Sequence, residues 1–171
     1  MRMFRVPGDH NYQPMQILND YDSTKTVHLD LDIKANGDFI YKVTSEGGSE
    51  NVMSGNMDDW AGGYIGLLSF QTEAELSNIQ FTDRTERADE SLFHTTLENL
   101  RGLQGSWKIT EKGMHSQGNG DNFAISDTKI ENFEYSANIN NLDEKGAGAL
   151  MFRVQNPNNP KDGCYVINAD Y

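Results

Sequence analysis

The sequence predicts an all-β protein, an antiparallel β-sandwich that forms one domain over residues 1–171. Three observations predict this fold. Apolar and polar residues alternate along many short segments, and turn-forming Gly, Asn, Asp and Pro residues separate these segments. The length is also sufficient to bury one two-layer core. Each predicted strand has one apolar and one polar face, which is typical of a sheet that covers a core on one side only.

The first half of the chain contains the clearest alternation. Thr26–Lys34 places every second residue on an apolar face, and the dipeptide Asn36-Gly37 after it favours a two-residue hairpin turn. We therefore predict a second strand that runs antiparallel to the first. The apolar residues are Val27, Leu29, Leu31 and Ile33 in the first strand and Phe39, Tyr41 and Val43 in the second.

The segments after this hairpin are less regular. The Gly- and Ser-rich stretch Ser45–Gly55 is predicted to be a loop, while Tyr64–Phe70 and Ala74–Phe81 are predicted to form a strand pair. The charged segment Asp83–Leu100 breaks the alternation, and several of its apolar residues recur at helical spacing. We therefore predict a linker over residues 84–104 that contains one short helix.

Alternation resumes in the second half of the chain. Three strands are predicted there from their apolar residues, which are Phe133, Tyr135, Ala137 and Ile139, then Leu150, Phe152 and Val154, and finally Tyr165, Ile167 and Ala169. The first residues of the chain have a matching apolar parity. We therefore predict that Met1–Val6 pairs antiparallel with Cys164–Tyr171, although these segments are the two ends of the chain.

Charge and cysteine content exclude several classes of protein. The chain has 14 Lys and Arg residues against 26 Asp and Glu residues, a formal net charge of −12 that repels phosphate backbones. We therefore expect no nucleic-acid partner. The single cysteine, Cys164, excludes an internal disulfide and a multi-cysteine zinc site. No apolar run is long enough to cross a bilayer, so we expect no membrane insertion.

Several segments resemble the fructan-binding modules of levanases, which form carbohydrate-binding module family 66. Those that resemble the first half of such a module are Gly105–Thr110, Gly118–Asp127, Asn132–Ile139, Gly146–Val154 and Gly163–Asp170. Those that resemble its second half lie within residues 1–83 and include Gly62–Phe70 and Ala74–Phe81. The resemblance implies a concanavalin-like, lectin-type jelly roll. Because the halves stand in reversed order, the module is expected to be circularly permuted or assembled from two half-modules.

The resemblance also implies a function. It predicts a non-catalytic module that binds fructan, a related polysaccharide or a terminal sugar through a shallow polar pocket. Such a module belongs to a larger secreted or cell-surface protein and is attached to, or derived from, a fructan-degrading glycoside hydrolase. We expect a monomer or a domain-swapped dimer. Two alternatives stay open: a ligand-free adhesion or spacer repeat, and a hydrolase that uses Asp170 and Glu134.

Five residues are candidates for sugar contacts. Arg153, Asn168 and Asp170 have outward parity on strands that are expected to be adjacent, and Arg5 is expected on the strand beside them. An exposed Arg–carboxylate pair formed by Arg153 and Asp170 would bind vicinal hydroxyls. Ser136 stands where the family commonly has Glu, so this contact differs from the family pattern.

Two further departures and one metal complete the prediction. Leu68 and Phe70 stand where the family often has an Arg and another aromatic residue, which removes polar contacts. A structural Ca²⁺ is common in the resembled sandwiches, and Asp83 and Asp121 are the candidate ligands. Trp60 is a candidate stacking platform for a sugar ring as well as a candidate core residue.

Overall fold

Two antiparallel sheets stack face to face and enclose the core. The computed structural model describes residues 1–8, 11–18, 21–84, 100–117 and 120–170. The strands are β1 (Arg2–Val6), β2 (Gln13–Ile17), β3 (Val27–Ile33), β4 (Asp38–Ser45), β5 (Glu50–Asn56), β6 (Tyr64–Phe70), β7 (Ala74–Asp83), β8 (Leu100–Gln104), β9 (Ser106–Ile109), β10 (Gly113–Gln117), β11 (Asp121–Ser126), β12 (Phe133–Asn141), β13 (Ala147–Val154) and β14 (Cys164–Asp170). The predicted all-β sandwich is confirmed.

Within the described ranges, each sheet has seven strands. Sheet A has the order β2-β1-β14-β13-β6-β11-β8, and sheet B has the order β5-β4-β3-β12-β7-β10-β9. The main core cluster contains buried residues from both sheets and therefore lies between them. In the described residues, no helix is long and apolar enough to cross a membrane.

Sheet B follows the predicted alternation closely. β3 pairs with β4, and its burial alternates between buried and more exposed residues along the whole strand. Gly37 closes the hairpin with a φ of 92°, and its N–H donates to the Lys34 carbonyl at 2.9 Å. This φ favours glycine, which explains why Asn-Gly was an effective turn signal.

Three predictions about the middle of the chain are wrong. Within the expected loop Ser45–Gly55, strand β5 begins at Glu50 and forms an edge of sheet B. β6 and β7 do not pair, because β6 lies in sheet A and β7 in sheet B. The predicted linker is too long, since its last residues form β8 and pair with β11. The predicted short helix falls on residues 85–99, which lie outside the described residues.

The two ends of the chain are neighbouring strands. β1 pairs antiparallel with β14, with Arg2 opposite Asn168 and Val6 opposite Cys164. This confirms the predicted pairing, which followed from the apolar parity of both segments. β1 also pairs with β2, so the N-terminal strand is interior to sheet A.

Sheet A is buried on both faces over most of its centre. Every residue of β13 is buried, as is every residue of β14 except Asp170. A second apolar cluster lies on the outer face, and its members include Phe4, Leu68, Phe123, Met151 and Val166. Tyr12 and Tyr64 pack against this cluster. The outer face of sheet A is therefore largely covered, unlike that of sheet B.

Candidate functional site

Arg153 is not exposed, although strand parity predicted that it would be. It has a φ of 49°, and the pairing of β13 with β6 shifts register between Met151 and Val154. This bulge turns the side chain away from the outer face. A Cβ on Gly63 would lie 2.4 Å from the Arg153 carbonyl carbon, so only glycine permits this close approach.

The buried Arg153 side chain, which is 1% exposed, binds three backbone carbonyls at one end of the sandwich. Its guanidinium donates to the carbonyls of Asp59 at 3.1 Å, Lys34 at 3.1 Å and Met57 at 3.5 Å. Burial lowers the pKa of Arg153 from its ordinary value. These contacts join three segments of the chain, so Arg153 stabilises the structure; its proposed sugar contact stays a prediction.

Arg5 lies at the same end of the sandwich. It forms an ion pair with Asp59, donates to the Gln13 side chain at 2.9 Å and lies 5.5 Å from the Trp60 ring centroid. The hydrogen bond with Asp59 is the main cause that raises the pKa of Arg5. Trp60 packs edge-on against Tyr165 with ring centroids 5.5 Å apart. We define these residues, with Arg153, as the Arg5–Asp59 corner.

Asn168 and Asp170 lie at the opposite end of β14 from this corner. Asp170 is opposite Ala147, and Phe152 is opposite Tyr165, so Arg153 and Asp170 are roughly 20 Å apart along the strands. The predicted Arg153–Asp170 pair is therefore wrong. Asp170 instead lies 3.2 Å from the Arg2 Nε.

Asn168 and Asp170 line a hollow on the outer face of sheet A, which we call the sheet A pocket. Its volume is about 220 Å³. The lining residues are Arg2, Phe4, Tyr12, Leu68, Phe70, Gly146, Ala147, Asn168 and Asp170. Phe4 and Tyr12 pack edge to face with centroids 5.7 Å apart. The pocket therefore combines aromatic walls with an amide, a carboxylate and a guanidinium.

Among the described residues that line this pocket, one buried acceptor lacks a hydrogen bond. Asn168 Oδ1 has no hydrogen-bond donor, whereas Asp170 Oδ2 is paired with Arg2 Nε. Asn168 is 9% exposed. An unpaired buried acceptor costs about 1–3 kcal/mol. A ligand that donates hydrogen bonds would remove this cost.

Ser136 lies on the other side of the molecule. It faces outward from β12, between Asp30 on β3 and Gln80 on β7. These residues line a hollow of about 540 Å³, which we call the sheet B groove. The full lining is His28, Asp30, Asn78, Gln80, Phe81, Thr82, Glu134, Tyr135, Ser136 and Asn138.

The five predicted sugar-binding residues thus fall into three places. Arg5 and Arg153 share one corner, Asn168 and Asp170 share the sheet A pocket, and Ser136 lies in the sheet B groove. The same geometry excludes the hydrolase pair considered from the sequence. Asp170 and Glu134 lie on the outer faces of opposite sheets, so they cannot flank one glycosidic bond.

Asp83 and Asp121 do not fit one calcium ion. Asp121 is opposite Phe70, which comes shortly before the first residue of β7. Asp83 is the last residue of β7, a strand of 10 residues that is about 30 Å long. Asp121 also forms an ion pair with Lys161. Among the described residues, no group of three or more His, Cys, Asp or Glu side chains is arranged to hold a metal. Calcium binding elsewhere stays a prediction.

Sequence reasoning missed several residues of these sites. Arg2, Phe4 and Tyr12 line the sheet A pocket, and His28, Asp30 and Gln80 line the sheet B groove. The groove residues carried a signal, because they have polar parity on their strands. Polar parity alone does not give the order of the strands in the sheet, and that order determines which polar residues become neighbours.

Comparisons with known proteins give one informative match. No protein-family model matches the chain. Over 79 residues the chain is 37% identical to a fructan beta-fructosidase of Streptococcus mutans serotype c. The match covers 44% of this chain but only 6% of that relative. The chain is thus an all-β sandwich that, over part of its length, is similar to a small part of a fructan beta-fructosidase.

Proposed function

We propose that this chain is a non-catalytic, fructan-related sugar-binding module, and that its sheet A pocket binds a terminal sugar ring. The observation that supports this most strongly is the buried Asn168 Oδ1, which has no donor among the described residues and lines the pocket together with the Asp170 carboxylate. The partial similarity to a fructan beta-fructosidase and the sandwich fold fit the same function. We further propose that the module acts outside the cell as part of a larger protein.

The pocket chemistry matches a sugar ring. Asn168 and Asp170 have the same parity on β14, so both side chains face the pocket. Vicinal hydroxyls donate to Asn168 Oδ1 and to the Asp170 carboxylate, and Arg2 donates to a further hydroxyl. Phe70 and Tyr12 offer aromatic surface to the apolar side of the ring. Ala147, opposite Asp170, leaves room for the ring between these groups.

We also propose that the halves of the module are circularly permuted. The support is the resemblance of residues 105–171 to the first half of the fructan-binding modules, together with the pairing of β1 and β14. In such a permutant, the turn that once joined these two strands is absent. Residues near the linker instead connect the former ends. Surface ends that lie close together tolerate this change.

The test is Asn168→Ala, measured against levan, inulin and their oligosaccharides by affinity electrophoresis and calorimetry. Removing one buried acceptor that a ligand satisfies should weaken binding by about 1.5 kcal/mol, which is roughly a tenfold rise in Kd. The melting temperature should stay the same or rise, because the unpaired oxygen is lost. Loss of binding without loss of stability would identify a ligand contact.

Asn122→Ala is the matched control. Asn122 is also a buried Asn in sheet A, but its amide donates to Ser69 Oγ at 3.0 Å and accepts from the Ser106 N–H at 3.2 Å. Its removal should lower the melting temperature and leave sugar affinity unchanged. Equal sugar affinities of wild type and Asn168→Ala would contradict the site. A wild type that binds none of these sugars would favour the ligand-free spacer, and release of reducing sugar would show a hydrolase.

A further inference from the structure

The outer face of sheet B carries an ordered array of polar side chains. Rows cross β3, β12 and β7 in register, with Asp30, Ser136 and Gln80 forming the central row. Two hollows adjoin the sheet B groove. One of about 260 Å³ shares Asp30 and Glu134 with it, and one of about 400 Å³ shares His28 and Asn138. Together they form an elongated depression that follows the central strands.

A bulge in β7 lies beside the central row of this depression. Ser136 is opposite Gln80 and Asn138 is opposite Ser77, so Asn78 and Ile79 together oppose a single residue of β12. Asn78 has a φ of 48°. Bulges bend a strand and increase its local twist. The bend of β7 therefore opens space beside Ser136 in the middle of an otherwise regular face.

The central row is free to contact a ligand. In the described structure, Asp30, Ser136 and Gln80 form no side-chain hydrogen bond or ion pair with another residue. The neighbouring groups are already paired: Arg84 lies 3.3 Å from Glu134 and contacts Asp32, and the His28 Nδ1 lies 2.7 Å from the Asn138 Oδ1. Paired groups hold the rim in place, while the unpaired row offers a carboxylate, a hydroxyl and an amide.

The chemistry selects a neutral, hydroxyl-rich chain. The carboxylates of Asp30, Asp32 and Glu134 outnumber the nearby cations Lys42 and Arg84, and the whole protein has a formal net charge of −12, so sulfated or uronate polymers are disfavoured. The two aromatic residues of the lining, Phe81 and Tyr135, are buried core residues. Recognition therefore relies on hydrogen bonds along an extended chain.

We propose that the sheet B groove is a second sugar site, which binds an internal stretch of a neutral polysaccharide. This inference rests on the proposed function of the sheet A pocket. The two sites lie on the outer faces of opposite sheets and open in opposite directions, so one short chain cannot fill both. Each molecule would therefore bind two polysaccharide strands at once and cross-link them.

The experiment mixes the protein with levan or inulin and follows light scattering as the protein-to-polymer ratio rises. A bivalent protein gives scattering that rises to a maximum and then falls when protein is in excess. Ser136→Tyr fills the groove and should remove this maximum while binding to the polymer gel persists through the sheet A pocket. Its affinity for the polymer should fall about 100-fold because multivalent attachment is lost. Asp30→Ala is a second, smaller change that should act in the same direction.

Ser54→Tyr is the matched control. Ser54 is exposed, has outward parity on the edge strand β5 and lies outside the three hollows, so this variant should cross-link like wild type. The melting temperature of each variant shows whether it is folded. Wild-type scattering without a maximum, or an unchanged maximum in folded Ser136→Tyr and Asp30→Ala, would overturn the second site. Because Asn168→Ala tests the sheet A pocket separately, that result would leave the proposed function intact, whereas no polymer binding by wild type would overturn both.

Discussion

The outer faces of the two sheets are built in opposite ways. On sheet B, the outer face is polar and the central strands β3 and β12 alternate between buried and more exposed residues. On sheet A, the outer face carries a second apolar cluster and the central strands are buried almost throughout. A single sandwich thus contains one sheet with a solvent-exposed outer face and one sheet whose outer face is largely buried.

This difference shows on which sheet the alternation of a strand can predict exposed functional residues. On sheet B, outward parity means exposure, so Ser136 was correctly expected on a polar face. On sheet A, outward parity leads to a buried apolar layer in which the polar side chains of Asn168 and Asp170 are exceptions. A polar residue on the outer face of sheet A is therefore more informative than one on sheet B, because burial makes its unpaired groups costly.

The largest expected effect comes from the same substitution on the two faces. Val166→Asp places a carboxylate where the side chain is 1% exposed on sheet A, and we expect a loss of more than about 4 kcal/mol of stability. Val52→Asp replaces a residue that is 57% exposed on sheet B, opposite Lys42, and should change stability by less than about 0.5 kcal/mol. Urea unfolding measures both. Similar losses in the two variants would refute the difference between the faces.

Arg153→Ala is expected to have an intermediate effect. It would remove the buried guanidinium that joins the carbonyls of Lys34, Met57 and Asp59, at a cost of about 3 kcal/mol. Arg153→Lys should recover only part of this loss, because one ammonium group cannot replace the planar guanidinium. Arg2→Ala, which removes an exposed Arg from sheet A, is the control for thermal unfolding. An unchanged melting temperature for Arg153→Ala would mean that these bonds contribute little.

The smallest perturbation reports how well the outer face of sheet A is covered. Cys164 lies in its apolar cluster, and burial raises the pKa of the thiol to about 12. Because the thiolate is the reactive form, iodoacetamide at pH 8 should modify the folded protein very slowly and the urea-unfolded protein readily. Mass spectrometry of both samples measures this. Rapid modification of the folded protein would show that the face opens often.

The sequence was sufficient for the fold class because alternation is a local signal. It located β3, β4 and β12 and the Asn36-Gly37 turn, and shared apolar parity also paired β1 with β14. It missed β5, since an edge strand needs few apolar side chains and can be rich in Gly and Ser. Strand order was beyond local reasoning, so β6 and β7 were wrongly paired.

The candidate sites were harder to predict than the fold. A bulge turns the Arg153 side chain away from the face that strand alternation predicts. No local sequence pattern around Phe152 and Val154 indicates that bulge. The sheet A pocket also depends on Tyr12 and Arg2, which are far from Asn168 in sequence and reach it only through the pairing of β1 with β14. Sites assembled from distant segments need the register of the sheets, which residue types alone do not supply.

The antiparallel pairing of β1 with β14 also determines how the molecule responds to tension. Arg2 is opposite Asn168, so both chain ends emerge at the same end of neighbouring strands. A force that separates the two ends acts perpendicular to these strands. The hydrogen bonds between β1 and β14 then break one after another, whereas a force parallel to the strands would load all of them together in shear. Pulled by its two ends, the sandwich should begin to open at β1 under low force. Anchoring through β5 and β9, the edge strands of sheet B, would load the sheets in a different direction.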